Sequence, residues 1–168
     1  MEIHPDLSEL TFLLGVWRGT GDGHYPTIDD FSYWEEAAFS PGPGKPFIHY
    51  TQRTKDAVSG APLHTETGYI RPAGAGRAEL VLIQPTGIVE IHTGSVSDTH
   101  VHFRSGVVET TPTAKDVTDV ERHIEVSGDL LRYRLAMAAV GQPLETHLEA
   151  RLVRQIPSPW DRPTQPNG

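Results

Sequence analysis

The chain has 168 residues, which suits one domain with a sizeable core. Its formal net charge of -8 disfavours a nucleic-acid groove, and without a block of Lys or Arg we expect no binding to an anionic membrane. It has no cysteine, so disulfides and thiolate chemistry are excluded, while its 9 histidines make imidazole the natural metal ligand. The N-terminal residues lack the apolar run of a secretory signal, which predicts a cytoplasmic protein.

The N-terminal segment predicts a short helix over about residues 5–14. Pro5 suits the first helical position, where a missing N–H costs nothing. Leu7, Leu10 and Leu14 then recur at spacings of three and four residues, which places them on one face. We expect this helix to cover one end of a sheet.

A glycine-rich stretch over residues 15–21 follows. Gly15, Gly19 and Gly21 share one face of an extended strand, and Trp17 is the only bulky side chain on that face. Glycine inside a strand usually marks a bend or a close approach of another backbone. The pattern therefore predicts a first strand that bends while the indole of Trp17 plugs one end of a barrel.

From residue 30 onward the apolar residues alternate with period two, and turn signals recur about every ten residues. The pattern predicts nine to eleven antiparallel strands, which favours a sandwich or an up-and-down barrel. Polar residues inside the strands (His49, Thr51, His64 and Gln84) favour a barrel lined for a ligand.

We expect one domain over 1–156 and a disordered, Pro-rich tail over 157–168. The predicted segments are strands at 31–39, 47–54, 64–71, 78–84, 88–94, 95–103, 117–127, 130–140 and 144–155, and a hinge or loop at 106–113.

Several histidines are candidate ligands. Simple alternation places His147 beside Glu145 and Glu149 and opposite Leu148, which by itself favours an exposed side chain. His64 shares a parity with Ile70 and is either a strand-end histidine bonded to a carbonyl or part of a site.

His100 and His102 alternate onto one face of a strand, where two imidazoles could bind zinc only with one or two further ligands. Nothing distinguishes the other histidines from surface residues. These are His4, His24, His92 and His123.

The chain resembles the nitrobindin family of heme-binding β-barrels, also called peroxynitrite isomerases. Residues 15–21 fit the family's Gly-x-Trp-x-Gly-x-Gly signature, and further matches follow in the family's order over most of the domain. These further matches are Tyr25-Pro26-Thr27-Ile28, residues 62–69, the turn at 84–87, residues 112–115 and residues 143–148.

The resemblance implies an all-β fold: a ten-stranded antiparallel up-and-down barrel, akin to fatty-acid-binding proteins and lipocalins, with a short N-terminal helix. It implies heme b at one mouth, with His147 as the axial ligand of the iron and the catalytic residue. This orientation contradicts simple alternation and predicts a bulge in the last strand. Thr27 matches a heme-contacting threonine, His64 falls near the other heme face, and Lys115 is the expected partner of a heme propionate.

The implied function is that of a ferric heme protein that isomerises peroxynitrite to nitrate and binds nitric oxide. Two alternatives stay open at this point. One is a non-catalytic carrier or sensor of nitric oxide on the same heme. The other is a carrier of a fatty acid or another small apolar ligand, with Arg53 or Arg134 holding the carboxylate. A homodimer also remains open.

Overall fold

The computed structural model describes residues 3–156, which form a closed antiparallel barrel with one short helix. Each strand pairs with its neighbours in chain order, and β1 also pairs with β10, so the predicted ten-stranded up-and-down barrel is confirmed. The tail predicted at 157–168 lies outside the described residues. Within them, no helix is long and apolar enough to cross a membrane. The strands are β1 (Gly15–Tyr25), β2 (Ile28–Pro41), β3 (Ile48–Asp56), β4 (Pro62–Pro72), β5 (Arg77–Gln84), β6 (Ile88–Ser97), β7 (His100–Thr110), β8 (Val117–Ser127), β9 (Leu130–Ala139) and β10 (Glu145–Gln155).

The N-terminal helix runs over Pro5–Leu13 and is a 3₁₀ helix. Its buried residues, Leu7, Leu10 and Leu13, recur every three residues, which is the period of this helix type. The prediction of the helix was correct, but its apolar face uses Leu13 rather than Leu14. The helix packs against β4.

The glycine-rich stretch forms most of β1, and Trp17 is completely buried at one end of the barrel. Its indole Nε1 donates a hydrogen bond to the carbonyl of Leu13 at 2.8 Å, and the guanidinium carbon of Arg154 lies 4.0 Å from the ring centroid. The prediction that Trp17 plugs one barrel end is confirmed. A Cβ added at Gly19 would lie 2.0 Å from the carbonyl oxygen of Arg151 on β10, so the expected close backbone approach occurs where β1 and β10 close the barrel.

The segment around Gly106 differs from the prediction of a hinge or loop. Strand β7 continues through it to Thr110, because Val107 pairs with Ile91 on β6. The register between β6 and β7 shifts here: Ile91 faces Val107, while His92 faces Ser105, which leaves Gly106 as an extra residue. A glycine at a β-bulge interrupts the sequence pattern without ending the strand.

The interior is divided into two apolar clusters. The larger cluster fills the end closed by the helix and Trp17, and it includes Phe39, Ile48 and Phe103. The smaller cluster lies near the other end and includes Tyr25, Val120 and Leu135. The barrel therefore has a well-packed core at one end and a less filled interior at the other.

The Gly19→Ala substitution should lower the free energy of unfolding by about 1–3 kcal/mol, because the new methyl group meets backbone atoms that cannot move aside. Gly106→Ala is the control, since a Cβ there has its nearest neighbour at 3.8 Å. Urea denaturation of both variants measures the effect. Equal midpoints for the two variants would contradict the close approach of β1 and β10.

Candidate functional site

A cavity of about 430 Å³ opens at the barrel end opposite Trp17. This volume lies within the range of small-molecule sites, about 300–1,000 Å³. One part of its wall is apolar and the deeper part is polar. The apolar lining residues are Ile28, Phe31, Leu63, Val120, Leu135, Met137 and Leu148, and the polar ones include Gln52, His64, Glu66, Gln84, Glu90, Arg122 and His147.

His147 lines this cavity because of an irregularity in β10. Thr146 pairs with Ala136 and Leu148 pairs with Leu135, so His147 is the extra residue of a β-bulge against β9. A bulge re-aims a side chain that simple alternation would place on the other face of the sheet. The orientation expected from alternation alone is therefore wrong, and the bulge expected from the resemblance is present.

The His147 ring is held by contacts on two sides. Its Nδ1 lies 2.9 Å from the carbonyl oxygen of His24, and only a protonated Nδ1 can donate to that oxygen. The rings of Tyr25 and Phe31 pack edge-on against it, with centroids 5.2 Å and 6.3 Å away. This arrangement leaves Nε2 as the nitrogen that carries the free lone pair.

The surroundings of His147 favour its neutral form. Burial lowers the pKa of the imidazole below its ordinary value, and the positive charges of His64 and Lys115 act in the same direction, while the hydrogen bond to His24 opposes them. A neutral imidazole is the form that binds a metal. The donor set of this wall therefore fits a heme iron: one oriented imidazole above apolar side chains.

The other predicted site residues lie at different distances from the cavity. His64 lines its wall, between Leu63 and the buried Glu66, with its Nε2 3.3 Å from a carboxylate oxygen of Glu66. Lys115 is exposed in the segment before β8 and acts electrostatically on His147. Thr27 is exposed in the turn between β1 and β2 and does not line the cavity, although the adjacent Ile28 does.

The signature residues act at a distance from the cavity. Gly19 allows the close contact between β1 and β10, and Gly21 leaves room for the ring of Tyr33, since a Cβ there would lie 2.4 Å from the phenol oxygen. Trp17 fills the opposite barrel end, and Gly15 adopts a φ of 128°. The signature residues therefore shape the barrel that carries the site, and they do not themselves hold the ligand.

A cluster of buried charges forms the floor of the cavity. Arg122 on β8 donates to Glu66 on β4 at 2.7 Å and 3.1 Å, and to Glu90 on β6 at 3.0 Å. Tyr50 donates to Glu66 at 2.8 Å, and His92 lies 2.8 Å from Glu90. All of these groups are buried, so three strands are tied together across the interior by one cation and two anions.

The groups of this cluster stabilise one another in their charged forms. Burial alone would raise the pKa of Glu66, but the positive charge of Arg122 outweighs it and holds that pKa far below the ordinary value. The pKa of Glu90 is lowered for the same reason, with help from His92. The two carboxylates in turn hold the pKa of Arg122 well above its ordinary value despite its burial.

Sequence reasoning missed this cluster. Arg122, Glu66 and Glu90 were not predicted as site residues, and His92, which was interpreted as a surface residue, is completely buried. The sequence did contain a signal for the burial of Glu66, because Glu66 lies on the same face of its strand as the buried Ile70. Of the polar residues predicted to line the interior, His64 and Gln84 do so, whereas His49 and Thr51 alternate with the buried residues of β3 and face outward.

A second polar group lies beside this floor. The phenol of Tyr133 donates to Glu35 at 2.7 Å, Gln52 donates to the other Glu35 oxygen at 2.7 Å, and the phenols of Tyr33 and Tyr133 are 2.9 Å apart. No cation contacts Glu35 among the described residues 3–156. Burial therefore raises its pKa to about 7, and the hydrogen bonds from Tyr133 and Gln52 only partly offset this.

A closed antiparallel barrel with a histidine aimed into an apolar-walled cavity defines a ligand-binding β-barrel, and comparisons with known proteins agree. The model of the "THAP4-like, heme-binding beta-barrel domain" family matches residues 6–154. The chain therefore belongs to this family of heme-binding β-barrels.

The relatives are similar over almost their whole length. The chain is 49% identical over 158 residues to a protein of Mycobacterium avium (strain 104) named peroxynitrite isomerase 2, covering 92% of this chain and 98% of the relative. A protein of the same name from Mycobacterium marinum is 50% identical with the same coverage. Among solved structures, that of Rv2717c from M. tuberculosis has a TM-score of 0.86 and 45% identity, and the match covers 92% of this chain and all of that one.

The raised pKa of Glu35 predicts a pH-dependent stability. The folded state holds its proton up to a pH of about 7, whereas in the unfolded chain the carboxyl ionises near its ordinary pKa of 4.5. The free energy of unfolding should therefore fall as the pH rises through this window, by at most about 3 kcal/mol. Glu35→Gln removes this contribution, because an amide can donate to Tyr133 and accept from Gln52 without ionising.

The measurement is urea unfolding of the wild-type chain and Glu35→Gln at about pH 5 and about pH 8. The stability of the variant relative to wild type should increase with pH. Glu36→Gln is the control: although burial opposes this, the ion pairs of Glu36 with Arg18 and Arg53 lower its pKa below 4.5, so Glu36 is ionised in both states from about pH 5 to about pH 8 and the difference between this variant and the wild type should not change with pH. A pH-independent difference for Glu35→Gln would contradict the assignment.

Proposed function

We propose that this chain isomerises peroxynitrite to nitrate on a heme b bound in the cavity, with His147 as the axial ligand of the iron. The proposal is supported by membership in a heme-binding family and by relatives named peroxynitrite isomerase at 49–50% identity. When bound, heme b would supply the iron chemistry that converts peroxynitrite to nitrate, and His147 would hold it in the cavity.

The orientation of His147 carries the proposal. The bulge aims the ring into the cavity, and the bond from Nδ1 to the His24 carbonyl fixes the tautomer that leaves Nε2 free. Histidines that ligate metals commonly donate their other N–H to a carbonyl in this way, which orients the ring and increases its basicity. The backbone near the end of β1 therefore acts as the outer partner of the ligand.

The remaining wall residues have roles that follow from their positions. Leu135 and Met137 line the same cavity as His147 and would exclude water from the space that a bound heme would occupy. His64 is the polar side chain placed to contact a small ligand, because it lines the same cavity and is backed by Glu66. Lys115, exposed near the rim, is suited to pair with a heme propionate, and Thr27 to contact the porphyrin edge. We also propose nitric oxide as a ligand of the same site.

The fatty-acid carrier is less well supported. Such a carrier often uses an interior Arg or Tyr to bind the carboxylate. Arg53 and Arg134, the two candidates from the sequence, are exposed on the outside of the barrel. The arginine that lines the cavity is Arg122, and it already binds Glu66 and Glu90.

Titration of the purified chain with hemin, followed by the Soret band, tests the axial ligand. The wild-type chain should show a saturable shift at one hemin per chain. His147→Ala should weaken binding by more than about tenfold, because loss of an outer partner alone typically costs 10–100-fold. His100→Ala, which removes an exposed imidazole from the outer face, should bind hemin as the wild type does. Unchanged affinity in His147→Ala would show that another residue binds the iron.

Turnover separates the isomerase from a nitric oxide carrier. The heme-loaded chain should accelerate peroxynitrite decay, raise the yield of nitrate and protect free tyrosine from nitration. His147→Ala should lose these effects, and His100→Ala should keep them. A chain that forms a tight nitrosyl complex but does not accelerate peroxynitrite decay would be a carrier or sensor instead.

A further inference from the structure

A second cluster of potential metal ligands lies on the outer surface of the barrel, away from the cavity. It consists of His102 on β7 and Glu121 and His123 on β8. The Nε2 atoms of His102 and His123 lie 2.5 Å and 3.3 Å from the same carboxylate oxygen, Oε1 of Glu121. The two imidazole rings are stacked, with centroids 3.9 Å apart and planes 12° from parallel.

The sheet register produces this arrangement. His102 and His123 are directly opposite each other in the β7–β8 pair, and Glu121 lies two residues before His123, so the three side chains share one face. Arg122, between the two β8 residues, points into the barrel. The cluster is therefore separated from the heme cavity by the thickness of the sheet.

We propose that His102, Glu121 and His123 bind a divalent first-row transition-metal ion, such as Zn²⁺, through the two Nε2 atoms and a carboxylate oxygen. Two imidazoles and one carboxylate form a three-ligand set that proteins use for such ions, with the remaining position open to solvent. The histidines are 35% and 40% exposed, so an ion can reach them, and Glu121 is only 19% exposed.

The distances are close to those of a shared ion, which the two stacked rings would reach by tilting toward it. Ligand atoms about 2 Å from a tetrahedral Zn²⁺ lie about 3.3 Å apart. The separation between His123 and Glu121 already has this value, and that between His102 and Glu121 must lengthen by less than 1 Å, which a χ rotation can supply. All three ligand atoms lie within 4.8 Å of one another. Since β7 and β8 belong to a closed barrel, their backbones hold the ligands in place.

The neighbouring charges weaken binding. Arg104 faces Glu121 and Arg134 faces His123 across the sheet, and both repel a dication. We therefore expect weaker binding than that of a structural zinc site.

Calorimetric titration of the heme-loaded chain with Zn²⁺ tests the site, because the bound heme keeps His147 from competing for zinc. About one equivalent should bind, and His102→Gln and His123→Gln should each weaken binding by at least about tenfold. His100→Gln is the matched control: it removes a histidine from the same face of β7, paired with Glu125 and outside the cluster.

The Soret band of each heme-loaded variant checks that the barrel is folded, so the loss of zinc binding can be assigned to the ligands. Unaltered binding in His102→Gln and His123→Gln, or equal weakening in His100→Gln, would overturn the proposal. Absence of binding to the folded wild-type chain would do so as well. None of these outcomes depends on whether the heme-loaded chain isomerises peroxynitrite, so the metal site and the proposed activity can fail independently.

Discussion

The ion cluster of Arg122, Glu66 and Glu90 determines how the interior of this barrel is used. Buried charges are tolerated only when they are paired and hydrogen-bonded, and here one guanidinium satisfies two carboxylates from different strands. The cluster spans the barrel between its two apolar clusters. The barrel end that contains Trp17 and Phe103 is packed as a core, and the opposite end is open as a cavity. A cofactor can therefore occupy one end without replacing any of the core.

A heme site also needs a side chain that can bind the iron, and the bulge at His147 supplies one at the open end. An imidazole on the regular strand would face solvent with Glu145 and Glu149, as alternation indicates. One extra residue in β10 turns it inward, and the His24 carbonyl then selects the tautomer. The ligand thus depends on a local defect of the sheet, while the floor beneath it depends on the regular in–out alternation around Glu66, Glu90 and Arg122.

Much of the fold follows from sequence pattern, because period-two alternation, glycine turns and the leucines of the helix are local signals. The site is less accessible to that kind of reasoning. The direction of His147 was predicted from the family resemblance and not from periodicity, because residues 144–152 still alternate in sequence as in a regular strand. Arg122 and Glu66 look like surface residues, because a charged residue reveals its burial only through partners that are distant in sequence. The same limit applies to His123, whose partner His102 lies on the neighbouring strand.

The closed sheet protects the strand edges of the chain even without its cofactor. Every strand from β1 to β10 is hydrogen-bonded on both sides, so the barrel has no open edge onto which another chain could add a strand. The packed core at the Trp17 end also does not include the cavity residue His147. We therefore expect the empty protein to remain folded and resistant to edge-to-edge aggregation, which would allow it to release and accept heme repeatedly.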